Sequence, residues 1–234
     1  MTNYSTKNIC IALDDAFWLE PREPNYAVAE KLQNSELPII GLSFYYRWGQ
    51  ALKKDEYIAK LARLVDTLIE VTQCIILALP HTYSASSFSD VKFAQNIRDK
   101  SCFRDNFWII EDFLIDREIK YLTGQCDYVF SNRFHGIIFA LSQGVPCTAI
   151  YQEQYTQVKL ESAYEMINLV PRLISINEKD ENISKGMIEH WHTRQQMHEN
   201  LACQLEGARN YQKVQDEALR TVVASSQSQH IILQ

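Results

Sequence analysis

The chain has 234 residues, enough for one large domain or two small ones, and it can bury a core without disulfides or metals. Hydrophobic residues make up 46% and charged residues 22%, the proportions of a soluble globular protein, which excludes wholesale disorder. The 23 lysines and arginines against 29 aspartates and glutamates give a net charge of -6 without any basic run, so no nucleic-acid partner is expected.

Short apolar runs alternate with helical patterns along most of the chain. The runs are continuous and rich in Ile, Val and Phe, which is typical of strands covered on both faces. They lie at Ile9–Leu13, Pro38–Phe44, Cys74–Leu79, Phe107–Ile110, Tyr128–Phe130 and Cys147–Tyr151. The helical patterns between them lie at Asp55–Val71, Ser89–Asp99, Asp116–Gly124, Phe134–Gln143 and Tyr155–Ile167. This alternation predicts an α/β fold, a parallel sheet sandwiched by helices with right-handed crossovers.

The two ends of the chain differ from this alternating region. Residues 1–37 have an irregular pattern, whereas residues 38–224 predict one α/β domain. That domain is expected to end in two long polar helices, at Ser184–Cys203 and Glu206–Ala224. Residues 225–234 are rich in Ser and Gln, and we expect them to form a flexible tail.

The positions of the glycines and cysteines exclude several classes of cofactor and metal site. The seven glycines form neither G-x-G nor the P-loop pattern, so dinucleotide enzymes and P-loop ATPases are not expected. A phosphate group would therefore have to be held by side chains and a helix N-terminus. The six cysteines are scattered without a C-x-x-C pair, and the sequence predicts no metal site.

The sequence gives no indication of membrane insertion or secretion. No apolar stretch approaches the roughly 18–20 residues that a membrane-spanning helix requires. Residues 1–10 are polar and lack the charged-then-apolar order of a signal peptide. The expected location is the cytoplasm, with peripheral attachment to the inner face of the membrane as an alternative.

The densest polar cluster lies in Cys126–Gly136, which reads Cys-Asp-Tyr-Val-Phe-Ser-Asn-Arg-Phe-His-Gly. The strand at Tyr128–Phe130 runs directly into a helix, so Asn132, Arg133 and His135 are expected at the carboxyl end of a parallel strand, where open α/β sheets bind ligands. The helix start and the arginine favour an anion, and the histidine supplies a proton donor that titrates near neutrality. The alternative is that Arg133 pairs with an acid on a neighbouring loop and His135 is a half-buried ring.

Two other strand ends carry polar residues at the same predicted edge. His81 follows the strand at Cys74–Leu79 and is predicted to contact a substrate, although a solvated loop position fits the sequence equally well. Asp112 follows the next strand and is predicted to orient a sugar hydroxyl or His135. Its alternative role is to cap the helix that begins near Asp116.

Residues Asp127–Ile150 resemble the signature of the polysaccharide pyruvyl transferase family. That signature consists of an Asp followed by an apolar run, then Arg-apolar-His, an apolar helix, Gly-Val-Pro and a closing strand. That family transfers pyruvate from phosphoenolpyruvate onto two sugar hydroxyls as a ketal, on a two-lobed fold resembling B-type glycosyltransferases. The resemblance implies one Rossmann-like lobe that needs no cofactor, and as acceptor a sugar or glycan precursor of a cell-surface polysaccharide. It implies that His135 is the acid-base residue, and that Arg133 and Arg47 bind the donor.

This chain departs from the family pattern in two ways. Family members are commonly longer, so this chain resembles the donor-binding C-terminal lobe, alone, as a fragment, or awaiting a second lobe or another copy of itself. Many relatives also have a lysine a few residues after the closing strand, where this chain has Gln152, Glu153 and Gln154, and Lys159 comes late. The alternative functions are a nucleotide-sugar glycosyltransferase of similar fold and a non-catalytic lobe that binds a partner.

Overall fold

The computed structural model describes residues 13–25, 27–46, 52–83 and 89–231. The strands in these residues form one sheet, in which every neighbouring pair is parallel. They are β1 (Ile39–Ser43), β2 (Ile75–Ala78), β3 (Phe107–Ile109), β4 (Tyr128–Ser131), β5 (Cys147–Tyr151) and β6 (Leu173–Ser175). Their order across the sheet is β3-β2-β1-β4-β5-β6.

Helices fill the intervals between the strands and cover both faces of the sheet. They are α1 (Asp15–Trp18), α2 (Ala27–Gln33), α3 (Lys54–Thr72), α4 (Asp90–Lys100), α5 (Asp116–Gly124), α6 (Phe134–Ser142), α7 (Gln154–Glu165), α8 (Asp180–His192) and α9 (Arg194–Ile231). A 3-10 turn at Arg104–Asn106 precedes β3. Among the described residues, none of these helices has both the length and the apolar character that crossing a membrane demands.

The predicted α/β class and parallel sheet are confirmed, and five predicted strands match β1 to β5 to within two residues at each end. The edge strand β6 was not predicted. The apolar run at Ile9–Leu13 lies outside the described residues except for Leu13. The region expected to be irregular contains the short helices α1 and α2, and the last helix continues to Ile231.

The sheet separates two apolar cores. On one face, helices α3, α4 and α8 pack through buried residues that include Val65, Phe93 and Trp191. On the other face, helices α5, α6 and α7 and the first turns of α9 pack through residues that include Ile138 and Leu201. Burying each large aliphatic or aromatic side chain stabilises the fold by roughly 1.5–3 kcal/mol, so both helix layers are held firmly on the sheet.

Helix α6 is the most deeply inserted of the helices that follow strand ends. Its residues from Gly136 to Leu141 are all buried, and only the two ends of the helix reach the surface. At Gly136 the helix backbone closely approaches β1, because a Cβ built on this glycine would lie 3.1 Å from the Cβ of Ser43. This close approach fixes the start of α6 against the ends of β1 and β4.

We expect Gly136→Ala to lower the free energy of unfolding by about 1–3 kcal/mol, the usual cost of overpacking a tight interior contact. The added methyl group would also press on the side chain of Ser131, which is buried beside it. Urea unfolding followed by circular dichroism measures the change. The matched control is Gly207→Ala in α9, where nothing lies within 4 Å and the better helix propensity of alanine should leave stability equal or higher. Equal losses in both variants would contradict the close-approach argument.

Candidate anion-binding site at the switch point of the sheet

The order of the strands places a natural binding site between β1 and β4. Chain order runs outward through β2 and β3 on one side of this pair and through β5 and β6 on the other. In open α/β sheets, ligands bind beyond the carboxyl ends of the strands where this order reverses. An open cleft lies there.

Residues that follow four strands line this cleft. They are Tyr45 after β1, His81 after β2, Asn132, Arg133, Phe134 and His135 after β4, and Tyr155, Thr156, Lys159 and Leu160 after β5. The structure therefore brings together His81, Asn132, Arg133 and His135, which the sequence had suggested from separate segments. Arg47 lies outside the described residues.

Asp112 does not join this group. It is exposed after β3, which lies at one edge of the sheet, and it is not among the residues that line the cleft. Two strands, β2 and β1, separate β3 from β4, which carries His135 at its end. The sequence placed Asp112 at the correct edge of the sheet, but the strand order moves it away from the cleft. In this structure Asp112 is therefore not placed to orient His135 or a ligand in the cleft.

Arg133 precedes the first residue of α6, and its side chain is 21% exposed. The guanidinium forms an ion pair with Asp90, donates a hydrogen bond to Thr82 Oγ1 at 3.2 Å, and lies 4.4 Å from the centre of the Tyr45 ring. The alternative pairing with an acid on a neighbouring segment is thus present in the structure. The pairing leaves the Nε donor unused, since Nε is buried and makes no hydrogen bond to any described residue.

Asp90 is a buried carboxylate that connects Arg133 to the loop after β2. Its Oδ2 accepts hydrogen bonds from the backbone N–H groups of His81 and Thr82, each at 2.9 Å, while Oδ1 faces Arg133. Charge-assisted hydrogen bonds of this kind are the stronger class, so Asp90 fixes the positions of His81 and Arg133 relative to each other. The sequence did not reveal this role, because an acidic residue at the start of a helix is a common feature.

Asn132 holds the ends of β1 and β4 together. Its Oδ1 accepts the backbone N–H of Tyr45 at 3.0 Å, and its Nδ2 donates to the Tyr45 carbonyl at 2.8 Å and to the Tyr57 hydroxyl at 3.2 Å. Three of the four hydrogen bonds that a carboxamide can make are therefore used inside the protein. Asn132, which the sequence predicts to bind substrate, lines the cleft, but most of its hydrogen bonds are made within the protein and hold the cleft in shape.

The two histidines of the cleft flank the ring of Phe139. The ring centroids of His81 and His135 lie 5.5 Å and 6.3 Å from that of Phe139. His135 is exposed, whereas Nε2 of His81 is buried and makes no hydrogen bond to any described residue. Burial, with the charges of Arg133 and His135 nearby, lowers the pKa of His81 to about 3. His81 is therefore neutral near pH 7, where it can hydrogen-bond a ligand but is not the protonated imidazolium that acts as an acid.

The first turns of α7 also line the cleft. Tyr155, Thr156 and Lys159 recur at spacings that place them on one face of the helix. The Nζ atom of Lys159 lies 5.1 Å from the centre of the Phe134 ring. The described part of the chain contains no group of three or more His, Cys, Asp or Glu side chains placed to hold a metal ion.

The chain thus forms a Rossmann-like lobe with a cleft that contains Arg133 and Lys159 at its switch point, the arrangement of a ligand-binding α/β domain. The sequence model for the polysaccharide pyruvyl transferase family matches residues 2–154. This chain belongs to that family, as the Arg-apolar-His signature predicted. The matched region extends from the N-terminal segment through β5 to the start of α7, and it includes every predicted site residue.

A solved structure shows the same fold in another protein. A putative UDP-N-acetylglucosamine 2-epimerase from Listeria monocytogenes superposes with a TM-score of 0.54 at 17% identity, over 79% of this chain and 44% of that chain. The calicheamicin glycosyltransferase CalG4 superposes with a TM-score of 0.48 at 8% identity, over 86% of this chain and 44% of its own. The chain thus spans less than half the length of these solved proteins. No curated protein matches the sequence.

Proposed function

We propose that this chain is the donor-binding lobe of a pyruvyl transferase that moves pyruvate from phosphoenolpyruvate onto hydroxyls of a sugar or glycan precursor. Family membership supports the reaction class. The observation that carries the proposal is the pair of buried nitrogens, Arg133 Nε and His81 Nε2, that find no partner among the described residues. An unpaired buried polar atom costs about 1–3 kcal/mol, a cost that a ligand in the cleft would remove.

The kind of ligand follows from the chemistry of these atoms. An arginine Nε can only donate a hydrogen bond, so the ligand group beside it must be an acceptor. Helix α6 points its N-terminus at the same cleft, and no described side chain caps that end. A helix N-terminus favours negative charge. A carboxylate or phosphate oxygen meets both demands, and phosphoenolpyruvate carries both groups.

The reaction needs a proton at C3 of phosphoenolpyruvate and stabilisation of the cation that develops at C2. We assign the proton transfer to His135, which is exposed in the first turn of α6 beside Arg133. One sugar hydroxyl then forms a bond to C2, the bond between C2 and the phosphate oxygen breaks, and a second hydroxyl adds to C2. Of the two hydroxyl protons released, one replaces the proton given to C3 and the other leaves with the phosphate.

We expect phosphoenolpyruvate to raise the melting temperature of the protein, and UDP- or GDP-sugars to leave it unchanged. A ligand that binds only the native state stabilises it by about 2.7 kcal/mol at a hundredfold excess over Kd. Differential scanning fluorimetry measures the shift, and phosphate release with a panel of sugar acceptors then tests for turnover. Stabilisation by a nucleotide sugar alone would favour the glycosyltransferase alternative, and no response to phosphoenolpyruvate would contradict the proposal.

A further inference from the structure

We infer that Lys159 is the residue that selects a phosphate-bearing ligand in this cleft, an inference that rests on the proposed function. Lys159 lies in the second turn of α7 and lines the same cleft as Arg133, which lies at the start of α6. Its side chain is exposed, and its ammonium group lies over the ring of Phe134. A cation held only against an aromatic face keeps its hydrogen-bond donors available to a ligand.

Of the described lysines and arginines that line the cleft, Lys159 is the one without an acidic partner. Arg133 is neutralised by the buried carboxylate of Asp90, and His81 is neutral near pH 7. Within the described residues, Lys159 forms no ion pair, and none of the residues that line the cleft is acidic. A phosphate monoester carries close to two negative charges at pH 7. The Arg133–Asp90 pair alone offers no net charge to such a group, whereas Lys159 does.

The two cations also suit different groups of the ligand. An arginine offers a planar array of donors that matches a carboxylate or a phosphate, and a lysine offers a compact point charge that binds phosphate without a fixed orientation. Asp90 and Thr82 occupy one end of the Arg133 guanidinium. The donors that remain are better suited to a carboxylate than to the bulkier phosphate group. We therefore assign the carboxylate of the donor to Arg133 and its phosphate to Lys159.

The test compares two ligands and three variants. Lys159→Met keeps the length and the apolar stem of the side chain but removes the charge, Lys159→Arg keeps the charge, and Lys185→Met is the matched control. Lys185 is an exposed lysine in α8 that does not line the cleft. Calorimetry measures the Kd for phosphoenolpyruvate, and ligand-observed NMR measures binding of pyruvate, which has the carboxylate but no phosphate. Circular dichroism verifies the fold of each variant.

We expect Lys159→Met to weaken phosphoenolpyruvate binding about tenfold or more, as loss of a hydrogen-bonded charge does, while pyruvate binding stays unchanged. Lys159→Arg should retain most of the affinity, and Lys185→Met should retain all of it. If Lys159→Met binds phosphoenolpyruvate as well as Lys185→Met does, or loses both ligands equally, the assignment of Lys159 is overturned and the proposed function stands. A wild-type protein that binds neither ligand would overturn both.

Discussion

Replacing His135 by alanine is expected to leave phosphoenolpyruvate binding intact and to lower turnover by about 10²–10⁴-fold, because an acid-base residue acts mainly in the transition state. The neighbouring His81 is not expected to take over this role, since its pKa of about 3 keeps the ring neutral near pH 7, without the additional proton that an acid would donate. The measurement is phosphate release from phosphoenolpyruvate in the presence of an acceptor sugar, with calorimetry to establish that the donor still binds.

His192→Ala is the matched control, because His192 is also an exposed histidine near a helix end but does not line the cleft. It should turn over at the wild-type rate. Since the His135 ring is exposed, its loss should leave the melting temperature nearly unchanged. A His135→Ala protein with full activity would remove His135 from the mechanism, and one that unfolds would assign the residue a structural role.

Much of the site could be predicted because it is local in sequence. The strand β4, the start of α6 and the residues between them form one continuous segment, so Asn132, Arg133 and His135 are brought to the same edge by the strand-to-helix turn alone. His81 follows another buried strand of the same parallel sheet, and all carboxyl ends of such strands share one edge. Because all strands of a parallel sheet end at one edge, the sequence alone places these residues at the correct edge without knowledge of the strand order.

What could not be predicted depends on contacts between distant segments. Asp112 follows a strand like the others, but β3 occupies the outer position of the sheet, and the sequence does not reveal this order. The partnership of Asp90 with Arg133 joins residues 43 positions apart, and an acid at a helix start carries no signal of it. The strand β6 has only three residues, so its apolar pattern was too short to distinguish from a loop.

Replacing Arg133 by lysine is expected to weaken phosphoenolpyruvate binding about tenfold or more, despite the equal charge. A lysine can still face the carboxylate of Asp90, but it has no planar fork, so it cannot bond Asp90, Thr82 and a ligand at the same time. It also removes the buried Nε donor that the proposal assigns to the ligand. Because Asp90 is buried, we expect some loss of stability as well, since a buried carboxylate with a poorer partner is unfavourable.

The matched control is Arg63→Lys, which alters an arginine–aspartate pair between α3 and α8 whose residues do not line the cleft. Arg63 pairs with Asp180 at 2.7 Å, and its side chain is 60% exposed, so the change should cost no more than ~1 kcal/mol and should leave donor binding untouched. Calorimetry gives the affinity of both variants for phosphoenolpyruvate, and urea unfolding gives their stability. Equal affinities in two folded proteins would leave Arg133 as a structural partner of Asp90 alone. The argument for an anionic donor in this cleft would then depend on Lys159 and the N-terminus of α6.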